Sequence, residues 1–177
     1  GSDNFSFLVP QLPNAVITVA ASYGDPGFGE AFSLAHQDVS PGQANIQLAL
    51  PAPAVLTAPM ASASAVNSNT IFRWVSDDKV FLLHVVDADE YRELFVLTSS
   101  KQIKLPSIAG EFPLRPAADH FWSVQVHGTW PSVDAAAGAE GFQDPFGIWQ
   151  GDPDGLGRGD GVFSQSEIHD FTTSANP

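Results

Sequence analysis

An all-β sandwich is the fold class this sequence predicts, and three observations predict it. From Thr70 to Ser174 the chain falls into short apolar runs whose large side chains alternate with polar ones, the period of a strand with one face buried. Pro, Gly, Asp and Asn stand between most of those runs, with 14 Pro and 15 Gly in 177 residues. No convincing helical period occurs apart from a short stretch over Asp134 to Glu140.

Taken in order, the first fifty residues hold three apolar stretches, Phe5 to Val9, Ala15 to Ala21 and Ala44 to Leu50. In the last, Ile46, Leu48 and Leu50 alternate with Asn45, Gln47 and Ala49, which predicts a half-buried strand. Pro10, Pro13 and Asn14 separate the first two runs, and Gly24-Asp25-Pro26-Gly27 closes the second. Residues 51–69, rich in Pro, Ala and Ser, read as a stiff extended connector, because each Pro fixes φ and lacks an N–H. The domain boundary is placed there, leaving a β-rich segment over 3–50 and a sandwich over 70–175; the alternative is an edge segment running along a single sandwich.

Within the sandwich, Phe72 and Trp74 share one face of the first strand, and Phe81, Leu83 and Val85 one face of a second over Val80 to Val86. Tyr91 to Thr98 and Gln102 to Leu105 supply two more. A fifth, His120 to His127, puts Trp122, Val124 and Val126 together, and Glu167 to Thr173 closes the set. Trp74 and Trp122 are expected to share the space between two facing layers.

The overall charge excludes several partners. Twenty acidic residues against seven basic give −13, a field that repels phosphate backbones and anionic lipid, so nucleic acid is not an expected partner. The chain has no Cys, which removes disulfides and thiolate sites. No apolar run is long enough to span a bilayer, so no membrane insertion is expected within this chain. Gly1-Ser2 reads as the remnant of a cleaved tag, so a signal peptide or lipid-attachment Cys would lie upstream.

The aromatic strand ending in Trp74, the strand Val80 to Val86, Ile103-Lys104-Leu105-Pro106, Phe121-Trp122-Ser123-Val124-Gln125-Val126 and the closing Phe171-Thr172-Thr173-Ser174 together resemble a fibronectin type III-like domain over about 57–175. The resemblance implies an immunoglobulin-like sandwich, with Trp74 in the second strand and Trp122, Val124 and Val126 in the sixth. It also implies a corner tyrosine where this chain has His120. Phe5 to Pro10 and Ala15 to Ala21 resemble the second half of a carboxypeptidase regulatory-like domain, a small non-catalytic β-module common in bacterial exported proteins. Such a half-domain would expose an unpaired edge unless it packs on the second sandwich.

Residues 129–164 form an insertion far longer than an ordinary hairpin loop of about two to five residues. Its Trp130, Phe142, Phe146 and Trp149 could form a platform for sugar rings, with Asp144 or Gln150 bonding hydroxyls; the plainer reading is that the rings plug the insertion onto the sandwich. Asp152, Asp154 and Asp160 lie in a glycine-rich turn of the kind that aims oxygens at calcium. Leu156 and Phe163 stand where two ligands belong, so a solvated acidic turn is the stronger reading and no cofactor is expected beyond that possible calcium. Arg158-Gly159-Asp160 matches an integrin-recognised tripeptide, read here as chance.

Other chemistry finds little support. His36, His84, His120, His127 and His169 show no tight zinc spacing; His120 and His127 fall on opposite faces of their strand and are expected at a surface or corner. There is no Gly-x-Ser-x-Gly elbow and no phosphate-cradling glycine loop. Asp87, Asp89, Glu90 and Glu93 could supply paired carboxylates for glycoside cleavage, but their place in a turn predicts solvated charges. The resulting expectation is a non-enzymatic spacer, adhesion or protein-interaction module of an exported bacterial envelope protein, periplasmic, outer-membrane-anchored or on the cell surface. A carbohydrate-binding module is the alternative, and a hydrolase using the insertion carboxylates the distant one.

Overall fold

Alternation along the chain becomes alternation of burial wherever a strand forms. In β5 (Ile71–Val75) exposed Ile71, Arg73 and Val75 interleave with buried Phe72 and Trp74, the sign of a strand with one face on a core. The computed structural model describes residues 16–25, 29–108, 113–128, 130–137 and 161–175. These residues form eleven strands in two sheets and one short helix, an all-β sandwich as the sequence predicts.

The smaller sheet has three strands, with β5 between β3 (Val55–Ala58) and β8 (Gln102–Lys104). The larger sheet is built on β9 (Asp119–His127). On one side β9 pairs with β6 (Phe81–Asp87), which pairs in turn with the edge strand β7 (Glu93–Thr98). On its other side β9 is shared by two strands in line, β10 (Gly161–Gln165) along its C-terminal half and β11 (His169–Thr173) along its N-terminal half. Between them Ser166 keeps the ladder satisfied: its N–H donates to Val124 O and its hydroxyl accepts from Val124 N–H, both at 2.9 Å. β4 (Ala63–Val66) runs parallel to β11.

The N-terminal part joins this same sheet. β1 (Ile17–Tyr23) and β2 (Phe32–Val39) form an antiparallel hairpin, and β2 pairs with β10 from Phe32↔Gln165 to His36↔Gly161. Gly24 leaves β1 at φ +85°, where a Cβ would stand 2.0 Å from Ala31 O, so the position accepts only glycine. At the β2–β10 seam a Cβ on Gly161 would come within 2.1 Å of His36 Nε2; the missing side chain is what lets that imidazole lie against the neighbouring strand.

One core lies between the sheets. Leu56, Phe72 and Trp74 from the small sheet meet Phe81, Leu83, Val85, Trp122, Val124 and Phe171 from the large one. Phe72 contacts Trp122 edge-to-face at 5.1 Å and Phe171 at 5.7 Å, and Trp74 contacts Phe81 at 5.5 Å. Each ring so buried contributes about 1.5–3 kcal/mol relative to exposure, with edge-to-face geometry adding to it. The two tryptophans thus belong to a single cluster, bridged by phenylalanines.

Several expectations change. In residues 44–50 Ile46 and Leu48 keep the foreseen alternation while Leu50 is exposed, and the stretch forms no strand, because the chain there leaves the large sheet to reach the small one: Ser33 of β2 donates to Pro51 O at 2.7 Å just before β3 begins. β2 was absent from the sequence reading, since its Ser33, His36, Gln37 and Asp38 blur the apolar pattern. The insertion ends earlier than expected, because Gly161–Gln165 is itself a strand, bound on one side to β2 and on the other to β9. The stretch Phe5 to Val9 lies outside the described residues.

Candidate functional site

Antiparallel order sends successive connections to opposite ends of the sandwich, so the 76–80 and 99–101 turns and the residues after β9 gather at one end, while the 88–92 turn and the approach to β9 gather at the other. The two ends use charge differently.

At the first end, the turn after β5 is tied by Ser76, whose hydroxyl contacts Asp78 Oδ2 at 3.1 Å and accepts from Asp78 N–H at 3.2 Å. Lys101 Nζ donates to Ser76 O, linking that turn to the one before β8. Opposite, Ser132 caps helix α1 (Val133–Ala137), accepting from Ala135 N–H at 3.2 Å through its hydroxyl, the usual device for the orphan donors of a helix start. Between these three connections lies an open cleft of about 610 Å³. Its lining carries the carboxylates of Asp77, Asp78 and Asp134, the ammoniums of Lys79 and Lys101, the hydroxyls of Ser99 and Ser132, and apolar Pro131 and Val133. Among the described residues its lining has no histidine, so none of the hydroxyls described there stands beside an imidazole base.

At the other end, the carboxylates foreseen as solvated turn charges are not all solvated. Asp87 is 4 % exposed. Its Oδ1 accepts the N–H groups of Asp89 and Glu90, both at 3.0 Å, closing the turn, and its two oxygens take Nε and an Nη of Arg115, both at 2.9 Å. The same guanidinium reaches Asp89 at 2.6 Å. Arg115 therefore holds the Asp87 carboxyl well below the ordinary carboxylate range; burial opposes this and the turn N–H bonds assist it. His120 stands beside the pair, with Nε2 3.7 Å from Asp87 Oδ2 and its ring stacked on Phe171 at 5.2 Å. Thr173 completes the corner by donating to Arg115 O at 2.6 Å and accepting Ala118 N–H at 3.0 Å. Of the two placements expected of it, His120 takes the corner and not the surface: it is 1 % exposed, and burial pushes its pKa down. His120 and His127 do face opposite ways: His127 lies edge-on to Phe163 at 4.7 Å, bonded to Gln125 at 3.0 Å, with burial lowering its pKa to about 4. Glu93 is also drawn into structure, 2.7 Å from His84 Nε2, and His84 stacks on Phe95 at 4.3 Å.

Of the residues the sequence put forward for binding, Trp130 is half-buried with its indole nitrogen against Gly128; it directly precedes Pro131 of the cleft but is not among the residues that line it. Phe142, Asp144, Phe146 and Trp149, the calcium candidates Asp152, Asp154 and Asp160, and Arg158 lie outside the described residues. No group of three metal-ligating side chains occurs among the described residues, and no helix there is long and apolar enough to cross a membrane. The sequence reading did not single out Asp77, Asp78, Lys79, Ser99, Lys101, Ser132 or Arg115. Ser76-Asp77-Asp78 and Ser132-Val133-Asp134-Ala135 did carry a signal, that of a polar turn and of a helix N-cap.

No protein-family model matches the sequence, and comparison with curated proteins and with solved structures finds no match either.

Proposed function

We propose that this chain is a fibronectin type III-like module acting without catalysis, as an adhesion or protein-interaction unit of an exported bacterial envelope protein, with the 76–80, 99–101 and 130–134 end as its contact face. The strand order supports the fold assignment: β3-β5-β8 facing β7-β6-β9 and the β10–β11 line is the three-against-four arrangement of that family, with β3 and β5 as its first two strands. The bacterial and exported setting rests on the resemblance of residues 3–50 to the carboxypeptidase regulatory-like family, whose edge problem is met here by β2 pairing with β10.

The observation that carries the functional reading is the cleft. Three connections on a rigid double sheet converge there, and among the described residues they offer opposite charges, hydroxyls and two apolar side chains with no imidazole beside a hydroxyl, a set suited to recognition. A carbohydrate ligand is the second reading, favoured by half-buried Trp130, the residue before Pro131 of the lining.

The test is binding of the immobilised chain to an outer-envelope protein fraction, with an Asp77→Lys/Asp134→Lys variant and a Trp130→Ala variant alongside. Loss of binding in the charge variant alone supports the protein-interaction reading. A glycan-array signal abolished by Trp130→Ala moves the assignment to carbohydrate. Binding indifferent to the cleft substitutions, or turnover of any glycoside substrate by the wild type, overturns the non-catalytic contact-face reading.

A further inference from the structure

The outward faces of the two sheets differ in charge, and neither difference is needed by the fold. On the small sheet, Phe72, Trp74 and Leu56 point inward, so Val55, Ile71, Arg73, Val75, Gln102 and Lys104 share the outer face. Val55 and Val75 are paired across the ladder and are 59 % and 61 % exposed. Arg73 sits beside Gln102 and Lys104 beside Ile71. No carboxylate occurs on any of the three strands, in a chain with twenty acidic residues and seven basic ones. Arg73 bonds the neutral Gln102 side chain at 3.2 Å and Lys104 the neutral Asn69 at 3.5 Å, and neither joins an ion pair among the described residues. The result is a face with Arg73 at its centre and Lys104 at one corner, flanked by Val55, Val75 and Ile71 and without a carboxylate on its strands, on an otherwise acidic protein.

On the far side, Trp122, Val124 and His120 of β9 point into the core, so Asp119 and Phe121 point out. Phe121 is 42 % exposed and lies between Val86 of β6 and Asp170 of β11. Asp119 accepts from Thr172 and Asp170 from Ser62, both neutral, and neither carboxylate joins an ion pair among the described residues. This face is the charge complement of the first: an exposed ring beside two carboxylates that have no cationic partner among the described residues.

The geometry points to a second copy of this chain as the occupant, the small-sheet face of one molecule seating on the Phe121 face of the next, with Arg73 and Lys104 opposite Asp119 and Asp170. The contact is heterologous, because the two surfaces differ and lie on opposite sides of the sandwich, so it propagates as an open row instead of closing into a dimer. Three strands at ~4.8 Å spacing and five residues at ~3.3 Å rise make a face of about 14 by 17 Å. That is below a standard interface, so the association is weak and gains strength when many copies are held on one surface. This inference is independent of the cleft and goes beyond its reading.

Sedimentation velocity of the whole chain tests it, from about 10 μM to about 1 mM protein, at about 20 mM and about 500 mM salt. The expected result is a mass average that climbs with concentration at low salt and falls back at high salt. Arg73→Glu/Lys104→Glu, both on exposed residues, abolishes the rise, as does Asp119→Lys/Asp170→Lys, while an equimolar mixture of the two reversed proteins restores it. A monomer throughout, or association that survives Arg73→Glu/Lys104→Glu, overturns the proposal. Circular dichroism of each variant separates loss of contact from loss of fold, and Val75→Ser, which leaves charge untouched, weakens the same rise in a protein whose fold is not at risk.

Discussion

The two ends of the sandwich hold the same kinds of residues and put them to opposite uses. At the corner end Asp87 is buried, bidentate with Arg115 and capped by two backbone N–H groups, beside a buried His120. At the cleft end Asp77, Asp78 and Asp134 line an open depression with Lys79 and Lys101. Charge removed from water must be satisfied within the protein, so it specifies geometry; charge left in water is only weakly bound to its neighbours and stays free to meet a partner. The corner end is therefore read as fold and the cleft end as function.

Substitutions can break that contrast. The reference for size is the core that both ends share: Trp122→Ala, removing a ring 1 % exposed, is expected to cost about 4 kcal/mol. In thermal unfolding that is a drop of about 8–16 °C for a chain of this length. Asp87→Ala comes next, at about 3 kcal/mol, because it removes the bidentate partner of Arg115, which keeps Asp89, and leaves two turn N–H groups without their acceptor. If Asp87→Ala left the melting midpoint within a degree or two, the corner network would be ornamental and the contrast would fail.

Acid provides the next measurement. Burial lowers the folded-state pKa of His127 to about 4 from an ordinary 6.5, so its contribution to stability is full above 6.5 and is lost as pH falls from 6.5 towards 4. His120 and His84 are shifted in the same direction by burial and act over the same descent below 6.5. Asp87 works lower down: its pKa is depressed from 3.8 by Arg115, so its contribution is full above 3.8 and disappears as pH drops below that value. Melting midpoints from pH 7 down to pH 3 should thus decline in two stages. His127→Gln should flatten the first stage and leave the second, and a flat profile between 7 and 4 would contradict the buried histidines.

The smallest effect belongs to the cleft. Asp77→Ala is expected to change stability by less than about 0.5 kcal/mol, as for an exposed turn residue. A destabilisation matching that of Asp87→Ala would show that this end, too, is held together by its charges.

Much of the strand inventory was legible in the sequence, since Phe72/Trp74, Phe81/Leu83/Val85 and Trp122/Val124/Val126 alternate and alternation is the direct trace of a sheet with one face buried. β2 was not legible, because Ser33 and His36 take buried positions that pattern reading reserves for apolar side chains. Nor was the failure of 44–50 to pair: Ile46 and Leu48 alternate as a strand would, but pairing needs a neighbour that local sequence cannot supply. The candidate site was less legible still. Trp130 was singled out for its own sake, whereas the cleft residues matter only because three connections far apart in sequence arrive together.

What the sequence determined alone is the class of fold and the apolar faces of its central strands, because side-chain periodicity is a local property fixed by backbone geometry. What only the tertiary structure decided is which charges are buried. Asp87 and Asp89 are two residues apart in one acidic turn, yet the first is sealed by Arg115 from another connection and the second stays largely in water. Solvation depends on every segment that packs nearby, and no stretch of sequence contains its own surroundings.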